Sequence, residues 1–520
     1  MLISIFILVS LLSTFTFWGS FSLSLFGDDW LAFWRYLQHL GPKSSGEWNY
    51  LTYLLTPYGA QDILMGILRN IYGLDSTKYY MTSFIFRLFA SFSFYPLVFY
   101  LTETKLGAFF SVLFFSITTT GLDTTNWVFN MPSYITIGLF NLCLYFFIKS
   151  RADEKFILLI ISGIFYYFAY IITPIRMHGS LPLILLLEIF WIIQKSNFKA
   201  LKIAATRISL FLMIFLIIRY TGNSQGPAEE ISQRINLGFT AISTMLMGGK
   251  FNFIFYPIIM FGSMFIPDFI LPVGQRNVLL ILIGSLILIS LVLLTIKLFK
   301  KTNTSTSLFL GLSWSFLSFI FAWWWVPNTI FPSTYRYLIT SAAGISVLFG
   351  SIIALGKDKI QKRLLFTFFS FLIVLHIIST RIYIGYLNMN HGLEISRNIW
   401  SQIPRIEEIG KNKKPVIFYF EGDRGNEIII HDVITFGFPP HMAILYNLRE
   451  EDGGLPIPMV NFGEVMSAVK DGKTLSAYGY PSKSIDIDSI YAFYLQNQDH
   501  LVNITQQARE KLLEIQKINR

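Results

Sequence analysis

Residues 1–30, MLISIFILVSLLSTFTFWGSFSLSLFGDDW, decide the fold class. The stretch from Met1 to Phe26 carries no charge, and a helix of roughly 20 apolar residues is enough to cross a bilayer core. Two carboxylates, Asp28 and Asp29, follow where such a helix reaches water. A cleavable signal peptide is the alternative, but neither a basic start nor a small-residue cleavage site precedes Gly27, so we expect the first span to stay.

The composition indicates that lipid is the solvent for most of the chain. Hydrophobic residues make up 53% of the 520 residues, aromatic residues 17% and charged residues only 14%, which is too little polar surface for a soluble protein of this size. The formal net charge is +10, but the Lys and Arg residues lie mainly in short segments between apolar runs, as membrane topology requires. We therefore predict no nucleic-acid partner. The single cysteine, Cys143, excludes a disulfide within one chain.

The apolar runs predict about eleven membrane-spanning helices, each recognised by its length and by an interior almost free of charge. The predicted spans are 1–26, 81–101, 106–120, 133–148, 156–173, 180–194, 203–220, 277–297, 307–325, 337–355 and 363–380. The stretch 251–272 is long enough to span, but it is interrupted by Pro257, Gly262, Pro267 and Asp268. We interpret this stretch as an interfacial or re-entrant segment, because a broken backbone is tolerated at membrane depth only where protein or a cavity covers it.

The distribution of charge predicts the orientation of the chain in a membrane. With the N-terminus in the cytoplasm, basic residues fall in the short loops on that side, for example at Lys105, Lys149 and Lys359. The opposite loops hold most of the acids, including Asp28, Asp29, Asp62 and Asp123. Function is therefore expected on the extracytoplasmic side of a multi-pass protein of the bacterial inner membrane or its equivalent.

The predicted organisation has two parts. Residues 1–386 are expected to form the membrane domain, with a first outer loop at 27–80 that is rich in aromatic residues. Residues 387–520 are more polar and are expected to form a small extracytoplasmic α/β domain. Strands are predicted at 415–420 and 428–436, and helices at 461–469 and 506–518. The fold class is thus an all-α polytopic membrane protein with a small C-terminal α/β domain.

Several charged residues are predicted near one membrane face, where charge is costly and marks functional sites by default. These candidates are Asp28, Asp29, Arg87, Asp123, Arg176 and Arg336. Each one, taken singly, could instead snorkel or cap a helix end, and for Asp123 and Arg176 this alternative weighs equally. Together they suggest a cavity for a ligand that is both anionic and hydroxylated.

This layout resembles the GT-C superfamily of integral-membrane glycosyltransferases, which use a polyprenyl-phosphate-linked sugar as donor. The resemblance covers residues 1 to about 380 and rests on short motifs in a particular order and topological placement. These motifs are Gly27-Asp28-Asp29-Trp30, Arg87-Leu88 and Tyr335-Arg336-Tyr337. Superfamily members related to protein mannosyltransferases and to the lipid A aminoarabinose transferase keep a catalytic acid at the position matched by Asp28 or Asp29.

The resemblance implies roles that suit the chemistry of these residues. An arginine such as Arg336 can hold the donor phosphate with a bidentate guanidinium, with Arg87 or Arg176 as second choices. Asp28 or Asp29 would serve as general base for the acceptor hydroxyl, and we favour Asp28. The substrate-binding set is Arg336, Arg87, Arg176, Asp123 and Tyr335.

The partners expected from the resemblance are a polyprenyl-phosphate-linked sugar, an acceptor that is a lipid, glycan or protein, and membrane lipids. No cofactor is expected. A divalent metal is possible but is not indicated, because residues 1–386 contain no Asp-x-Asp pattern. A transporter or flippase for lipid-linked glycans is the rival from another class, and a polysaccharide polymerase or ligase is a nearer rival.

Overall fold

The protein is described by a computed structural model that covers residues 2–518 except 42–45, 47, 57, 196–197, 222–226, 300–301, 326–331, 407–408, 410–414, 449–454, 474 and 476–483. The chain divides into two compact units. Unit 1 comprises Met1–Gly19, Tyr50–Gln61 and Tyr80–Ile384, and unit 2 comprises Ser20–Asn49, Asp62–Tyr79 and Gly385–Arg520.

The described chain is mostly helical. The helices of its first part are α1 Leu2–Phe17, α2 Asp28–His39, α3 Tyr50–Leu54, α4 Gly59–Tyr72, α5 Ser76–Thr102, α6 Lys105–Ile117, α7 Asp123–Asn126, α8 Pro132–Ala152, α9 Phe156–Ile172, α10 Ser180–Lys195 and α11 Phe198–Thr221. Those of its second part are α12 Pro227–Met247, α13 Tyr256–Ser263, α14 Arg276–Lys297, α15 Thr302–Trp325, α16 Ile339–Ile353, α17 Lys359–His391, α18 Leu393–Gln402, α19 Glu427–Ile429, α20 Phe438–Leu445, α21 Phe462–Asp471 and α22 Thr505–Ile518. The strands are β1 Ile417–Gly422, β2 Ile457–Met459, β3 Ile490–Gln496 and β4 His500–Asn503.

The predicted polytopic membrane fold is confirmed. Within the described residues, 9 helices are long and apolar enough to cross a membrane. The two remaining predicted spans, 106–120 and 156–173, correspond to the shorter apolar helices Lys105–Ile117 and Phe156–Ile172. Each predicted span therefore coincides with an apolar helix.

The interrupted stretch 251–272 is broken into short helices. Phe251–Phe255 and Asp268–Ile270 are 3₁₀ helices, and α13 between them has 8 residues. At about 1.5 Å rise per residue, such a helix covers only a fraction of a bilayer core. The interruption that the prolines predict is present, and the re-entrant placement stays a prediction.

Small residues allow close helix packing in the core of unit 1. A Cβ at Gly107 on α6 would lie 2.6 Å from the carbonyl oxygen of Gly350 on α16. A Cβ at Gly344 on α16 would lie 2.5 Å from the backbone nitrogen of Ser315 on α15. Because lipid offers no hydrophobic drive for association, such close backbone approach is the usual basis of packing between spans.

The C-terminal part of unit 2 contains the predicted α/β element. Its sheet has the order β2-β1-β3-β4, in which β1 runs parallel to β2 and β3, and β4 runs antiparallel to β3. Along β1, Phe418 and Phe420 belong to one apolar cluster and Ile417 and Tyr419 to another. Successive side chains of a strand point to opposite faces, so both faces of the sheet are covered.

The strand predicted at 428–436 is wrong. This stretch forms α19 and a π-helix over Ile430–Thr435. Its buried residues are Ile429, Ile430, Val433 and Ile434, a spacing that repeats about every four residues and is therefore helical. The predicted strand at 415–420 and the helices at 461–469 and 506–518 are confirmed as β1, α21 and α22.

Candidate functional site

Two loops of unit 1 are held side by side through their main chains. The amide of Gly121 donates a 2.8 Å hydrogen bond to the carbonyl of Ser333, and the amide of Asp123 donates one of 2.9 Å to the carbonyl of Thr334. Gly121 has a φ of +70°, and a Cβ there would lie 2.5 Å from the Cα of Ile339. Only glycine fits this position. This main-chain ladder brings the predicted site residues of both loops together.

The guanidinium of Arg336 rests on aromatic faces. It lies 4.1 Å from the ring centroid of Trp127, 5.2 Å from that of Tyr337 and 5.5 Å from that of Tyr335. Arg336 is half-buried, and within the described part of the chain no residue accepts a hydrogen bond from its guanidinium or forms an ion pair with it. Stacking occupies the faces of a guanidinium and leaves its N–H edge available for an anion.

Arg176 stacks on the same tyrosine. Its guanidinium lies 4.4 Å from the ring centroid of Tyr337. Nε donates to the hydroxyl of Ser133 at 3.1 Å and one terminal nitrogen donates to Asn130 Oδ1 at 3.3 Å. The other terminal nitrogen is buried and has no hydrogen-bond partner among the described residues. A buried donor without an acceptor is costly, so it favours a ligand that supplies one.

The two arginines thus share one aromatic ring although like charges repel. Arg176, together with His178, Tyr337 and Thr340, also lines a narrow cleft. Two guanidinium groups that retain N–H donors without acceptors among the described residues form a strong anion site. The planar arrangement of these donors matches the oxygens of a phosphate. Of the two second choices named from the sequence, Arg87 and Arg176, it is Arg176 that shares the Tyr337 ring with Arg336.

Asp123 lies in the same group of residues, as the first residue of α7. Its Oδ1 accepts a 2.7 Å hydrogen bond from the hydroxyl of Tyr383. Burial raises the pKa of Asp123 to about 6, while the Tyr383 hydrogen bond and the charge of Arg336 act in the opposite direction. An acid with a pKa near neutrality beside a guanidinium group is typical of a functional site.

Tyr335 also lies beside Arg336. Burial raises the pKa of its hydroxyl to about 12, and the charge of Arg336 opposes this shift. The phenol therefore stays protonated at physiological pH and can donate a hydrogen bond. Arg336, Arg176, Asp123 and Tyr335 are accordingly the predicted residues that unit 1 brings together.

Sequence reasoning missed Asp268 as a support of this group. Asp268 is buried at the 3₁₀ turn that ends the interrupted stretch, and its Oδ1 accepts a hydrogen bond from the hydroxyl of Ser333. The ring of the next residue, Phe269, lies 5.0 Å from the ring of Tyr383. In the sequence, Asp268 stood out only as one of several residues that interrupt the apolar stretch 251–272. Its partner, Ser333, is 65 residues away in the chain, so no local pattern could reveal the contact.

Arg87 has a different environment from the other arginines. It is fully buried, and its donors bond to the carbonyls of three residues and to two hydroxyls at 2.7–3.2 Å. These acceptors are Ser116 O, Phe115 O, Thr118 O, Thr125 Oγ1 and Tyr134 OH. A guanidinium has five N–H donors, so each is engaged by the protein. Arg87 holds the loop that carries Asp123, and we do not include it in the proposed phosphate site.

The Asp28–Asp29 pair belongs to unit 2 and starts α2. Gly27 precedes it with a φ of +57°, and the amide of Gly27 donates to the carbonyl of Phe436 at 3.2 Å. Asp29 is fully buried, and its Oδ2 accepts a 3.1 Å hydrogen bond from the amide of Phe26. Asp28 is half-buried. A carboxylate is favourable in the first helical turn, so Asp29 has a clear structural role, whereas Asp28 is the more accessible acid.

The described residues contain no group of three or more His, Cys, Asp or Glu side chains arranged to hold a metal ion. The pair of arginines beside Asp123 likewise disfavours a cation there.

No protein-family model matches the chain, and no curated protein sequence matches it significantly. The chain is similar in structure to the archaeal oligosaccharyltransferase AglB from Archaeoglobus fulgidus in complex with an inhibitory peptide and a dolichol-phosphate, with 14% identity, a TM-score of 0.48, and coverage of 95% of this chain and 69% of that one. It is also similar to ArnT from Cupriavidus metallidurans bound to undecaprenyl phosphate, with 10% identity, a TM-score of 0.44, and coverage of 95% and 92%. The chain thus spans about two thirds of the archaeal protein's length.

Proposed function

We propose that the protein is a glycosyltransferase that moves a sugar from a polyprenyl-phosphate donor to an acceptor hydroxyl. The observation that carries this proposal is that Arg176 and Arg336 stack on one ring, that of Tyr337, and have guanidinium donors without acceptors among the described residues. Such a pair is suited to a phosphate that gains negative charge during a reaction. Asp123 and Tyr335 lie beside it and can bind hydroxyl groups of a sugar.

A lipid phosphate fits the setting of these arginines. Arg176 and Arg336 lie at the beginning of the candidate membrane spans Pro174–Gln194 and Arg336–Ile353, so a phosphate bound there is most simply the head group of an amphiphile. AglB was solved with a dolichol-phosphate and ArnT with undecaprenyl phosphate. We propose a donor of the same class here, with Arg336 as the principal phosphate ligand and Arg176 as the second.

The proposed reaction is a single displacement. The acceptor oxygen forms a bond to the anomeric carbon while the bond from that carbon to the phosphate oxygen breaks, and the polyprenyl phosphate leaves. Charge that develops on the leaving oxygen is stabilised by preorganised guanidinium donors. One in-line displacement inverts the anomeric centre.

The acceptor proton needs a base. We propose Asp28, because it is the accessible member of the pair, whereas Asp29 is buried and accepts the Phe26 amide. General-base help of this kind contributes about 10²–10⁴ in rate. We further propose that the reaction takes place on the extracytoplasmic side, where 387–520 would also lie, since the basic loops favour that orientation.

The test is a reconstituted assay in proteoliposomes. Protein is supplied with a polyprenyl-phosphate-linked sugar and a panel of lipid, glycan and peptide acceptors, and free polyprenyl phosphate is measured together with sugar on the acceptor. We expect release of polyprenyl phosphate in step with transfer, and loss of both in Arg336→Ala. Movement of intact donor lipid across the bilayer without release of polyprenyl phosphate would contradict the proposal and support a flippase.

Arg381→Ala is the matched control. Arg381 belongs to unit 1 and also stacks on an aromatic ring, at 4.5 Å from the centroid of Phe15. It donates to the carbonyl of Phe15 at 2.7 Å and has no role in the proposed site. Its loss should leave transfer unchanged.

A further inference from the structure

A second cavity of unit 1 is lined by a mixture of polar and apolar side chains. Its volume is about 380 Å³, within the range of about 300–1,000 Å³ typical of small-ligand sites. It lies between the end of α12, the 3₁₀ helix Phe251–Phe255, α13 and the start of α14. Its lining residues are Met245, Lys250, Asn252, Phe253, Phe255, Tyr256, Ile259, Asn277 and Ile281.

The polar part of this cavity is suited to one negative charge. Lys250 is exposed and has no ion pair with any residue in the described part of the chain. The amides of Asn252 and Asn277 and the hydroxyl of Tyr256 are the other polar groups of the lining. An ammonium and two amides can donate hydrogen bonds to phosphate oxygens, and the ammonium balances a single charge.

The surroundings of the cavity are apolar and open. Ile254 is 59% exposed, Phe255 48% and Leu282 62%. Exposed apolar side chains of this size around a cavity mark a lipid-facing or partner-facing surface. Because α14 is one of the candidate spans, hydrocarbon is the simplest neighbour of this surface.

The apolar wall of the cavity is held firmly. A Cβ at Gly284 on α14 would lie 2.3 Å from the carbonyl oxygen of Ile258 on α13. A Cβ at Gly262 on α13 would lie 2.4 Å from the carbonyl oxygen of Leu280. Both glycines are about one helical turn from the lining residues Ile259 and Ile281. Such close packing gives the cavity a defined shape.

We infer that this cavity binds an anionic phospholipid of the surrounding bilayer, with the phosphate on Lys250, Asn252 and Asn277 and an acyl chain along Ile259 and Ile281. One ammonium matches the single charge of a phosphodiester, whereas the Arg176–Arg336 pair matches a more highly charged group. The site is therefore distinct from the proposed donor site. It does not rest on the proposed function.

The test measures lipid retention by the full-length protein. Protein in nanodiscs that contain either phosphatidylglycerol or phosphatidylcholine is released into detergent, and bound lipid is counted by native mass spectrometry. We expect phosphatidylglycerol to be retained over phosphatidylcholine. Lys250→Ala should lower its retention about tenfold or more, which is the size of one lost charge-assisted hydrogen bond, and Lys250→Arg should restore it.

Two further variants sharpen the result. Ile281→Phe narrows the cavity without changing charge and should also lower retention, while Lys202→Ala removes another exposed lysine of unit 1 and should have no effect. Equal retention of the two lipids would overturn the inference, as would unchanged retention in Lys250→Ala or in Ile281→Phe. Competition by undecaprenyl phosphate at the affinity of phosphatidylglycerol would also overturn it and would assign the cavity to the donor. The lipid-retention measurement contains no sugar donor. Its result is therefore independent of whether the protein transfers a sugar.

Discussion

The carboxylate of Asp123 accepts a 2.7 Å hydrogen bond from the hydroxyl of Tyr383. These residues are 260 positions apart in the chain, and the contact joins a short loop helix to a long span. Burial raises the pKa of Asp123 to about 6, and the hydrogen bond from Tyr383 opposes this shift because it stabilises the ionised carboxylate. A group with this pKa changes charge within the physiological range.

Tyr383→Phe should therefore shift the pH dependence of donor binding. In the wild type, the charged form of Asp123 is lost as the pH falls through about 6. Without the hydroxyl the pKa rises further, so the acid limb of binding and of kcat/KM should move to higher pH. Titration of donor affinity between pH 5 and 8 checks this, with Tyr167→Phe as the control. An unmoved acid limb in Tyr383→Phe would remove Asp123 from the binding step.

Replacement of Arg336 should separate a bidentate contact from a simple charge. Arg336→Ala should weaken donor binding by about 10–100-fold, since hydrogen bonds to charged groups contribute about 1.5–3 kcal/mol. Arg336→Lys should recover only part, because a lysine keeps the charge but not the planar fork. Equilibrium binding of a labelled polyprenyl phosphate measures both. Full affinity in the lysine variant would show that Arg336 contributes only its positive charge and not a bidentate contact.

Arg87 should behave as a structural residue. Arg87→Ala leaves buried acceptors without donors, and we expect a loss of at least about 3 kcal/mol of stability. Arg87→Lys offers at most three donors in place of five and should be only partly better. Thermal unfolding in detergent, followed by size-exclusion chromatography, checks the loss. A variant that melts like the wild type yet fails to bind donor would return Arg87 to the phosphate site.

Substitution of the two first-loop acids, Asp28 and Asp29, should have different effects on sugar transfer. Asp28→Asn should slow transfer by about 10²–10⁴ while donor binding survives, because an amide cannot accept the proton. Asp29→Asn keeps an oxygen that can accept the Phe26 amide, so its effect on transfer should be smaller. Single-turnover transfer and donor binding are measured on both variants and on the double variant. Wild-type rates in all three would exclude this pair from the reaction.

The orientation of the chain can be tested independently of activity. A periplasm-active reporter fused after Arg520 should be active, and the same reporter fused near Lys359 should be silent. A cytoplasm-active reporter should show the reverse pattern. Cytoplasmic activity of the fusion at Arg520 would reverse the proposed sidedness of every residue discussed above.

Length and charge were enough to predict the spans, because a bilayer imposes both on any helix that crosses it. They also suggested that Arg176, Asp123 and Arg336 lie near one membrane face, since charge inside a membrane protein is expensive and therefore sparse. The sequence could not distinguish Arg87 from Arg336. Both are single arginines near the start of a span, and only the positions of the acceptors around each one show that Arg87 is satisfied by the protein.

Other features depend on contacts that no local pattern reveals. The support of Ser333 by Asp268 joins two irregular stretches, neither of which has a periodicity to read. The stretch 428–436 was misjudged for a different reason. Its β-branched residues favour a strand, but their burial repeats every four residues, and tertiary packing prevailed over intrinsic preference.

The main-chain ladder between the loops of Gly121 and Ser333 limits which residues of such a site can change during evolution. Peptide groups make both of its bonds, and the hydroxyl of Thr334 has no hydrogen-bond partner in the described chain. Position 334 can therefore change identity while the acid and the guanidinium keep their places, whereas Gly121 cannot. A distantly related chain would need to keep only the spacing of these residues. It would need a glycine two positions before the acid, as Gly121 precedes Asp123, and an arginine two positions after the second carbonyl of the ladder, as Arg336 follows Thr334. Searches by spacing and topology should thus find such sites where searches by residue identity do not.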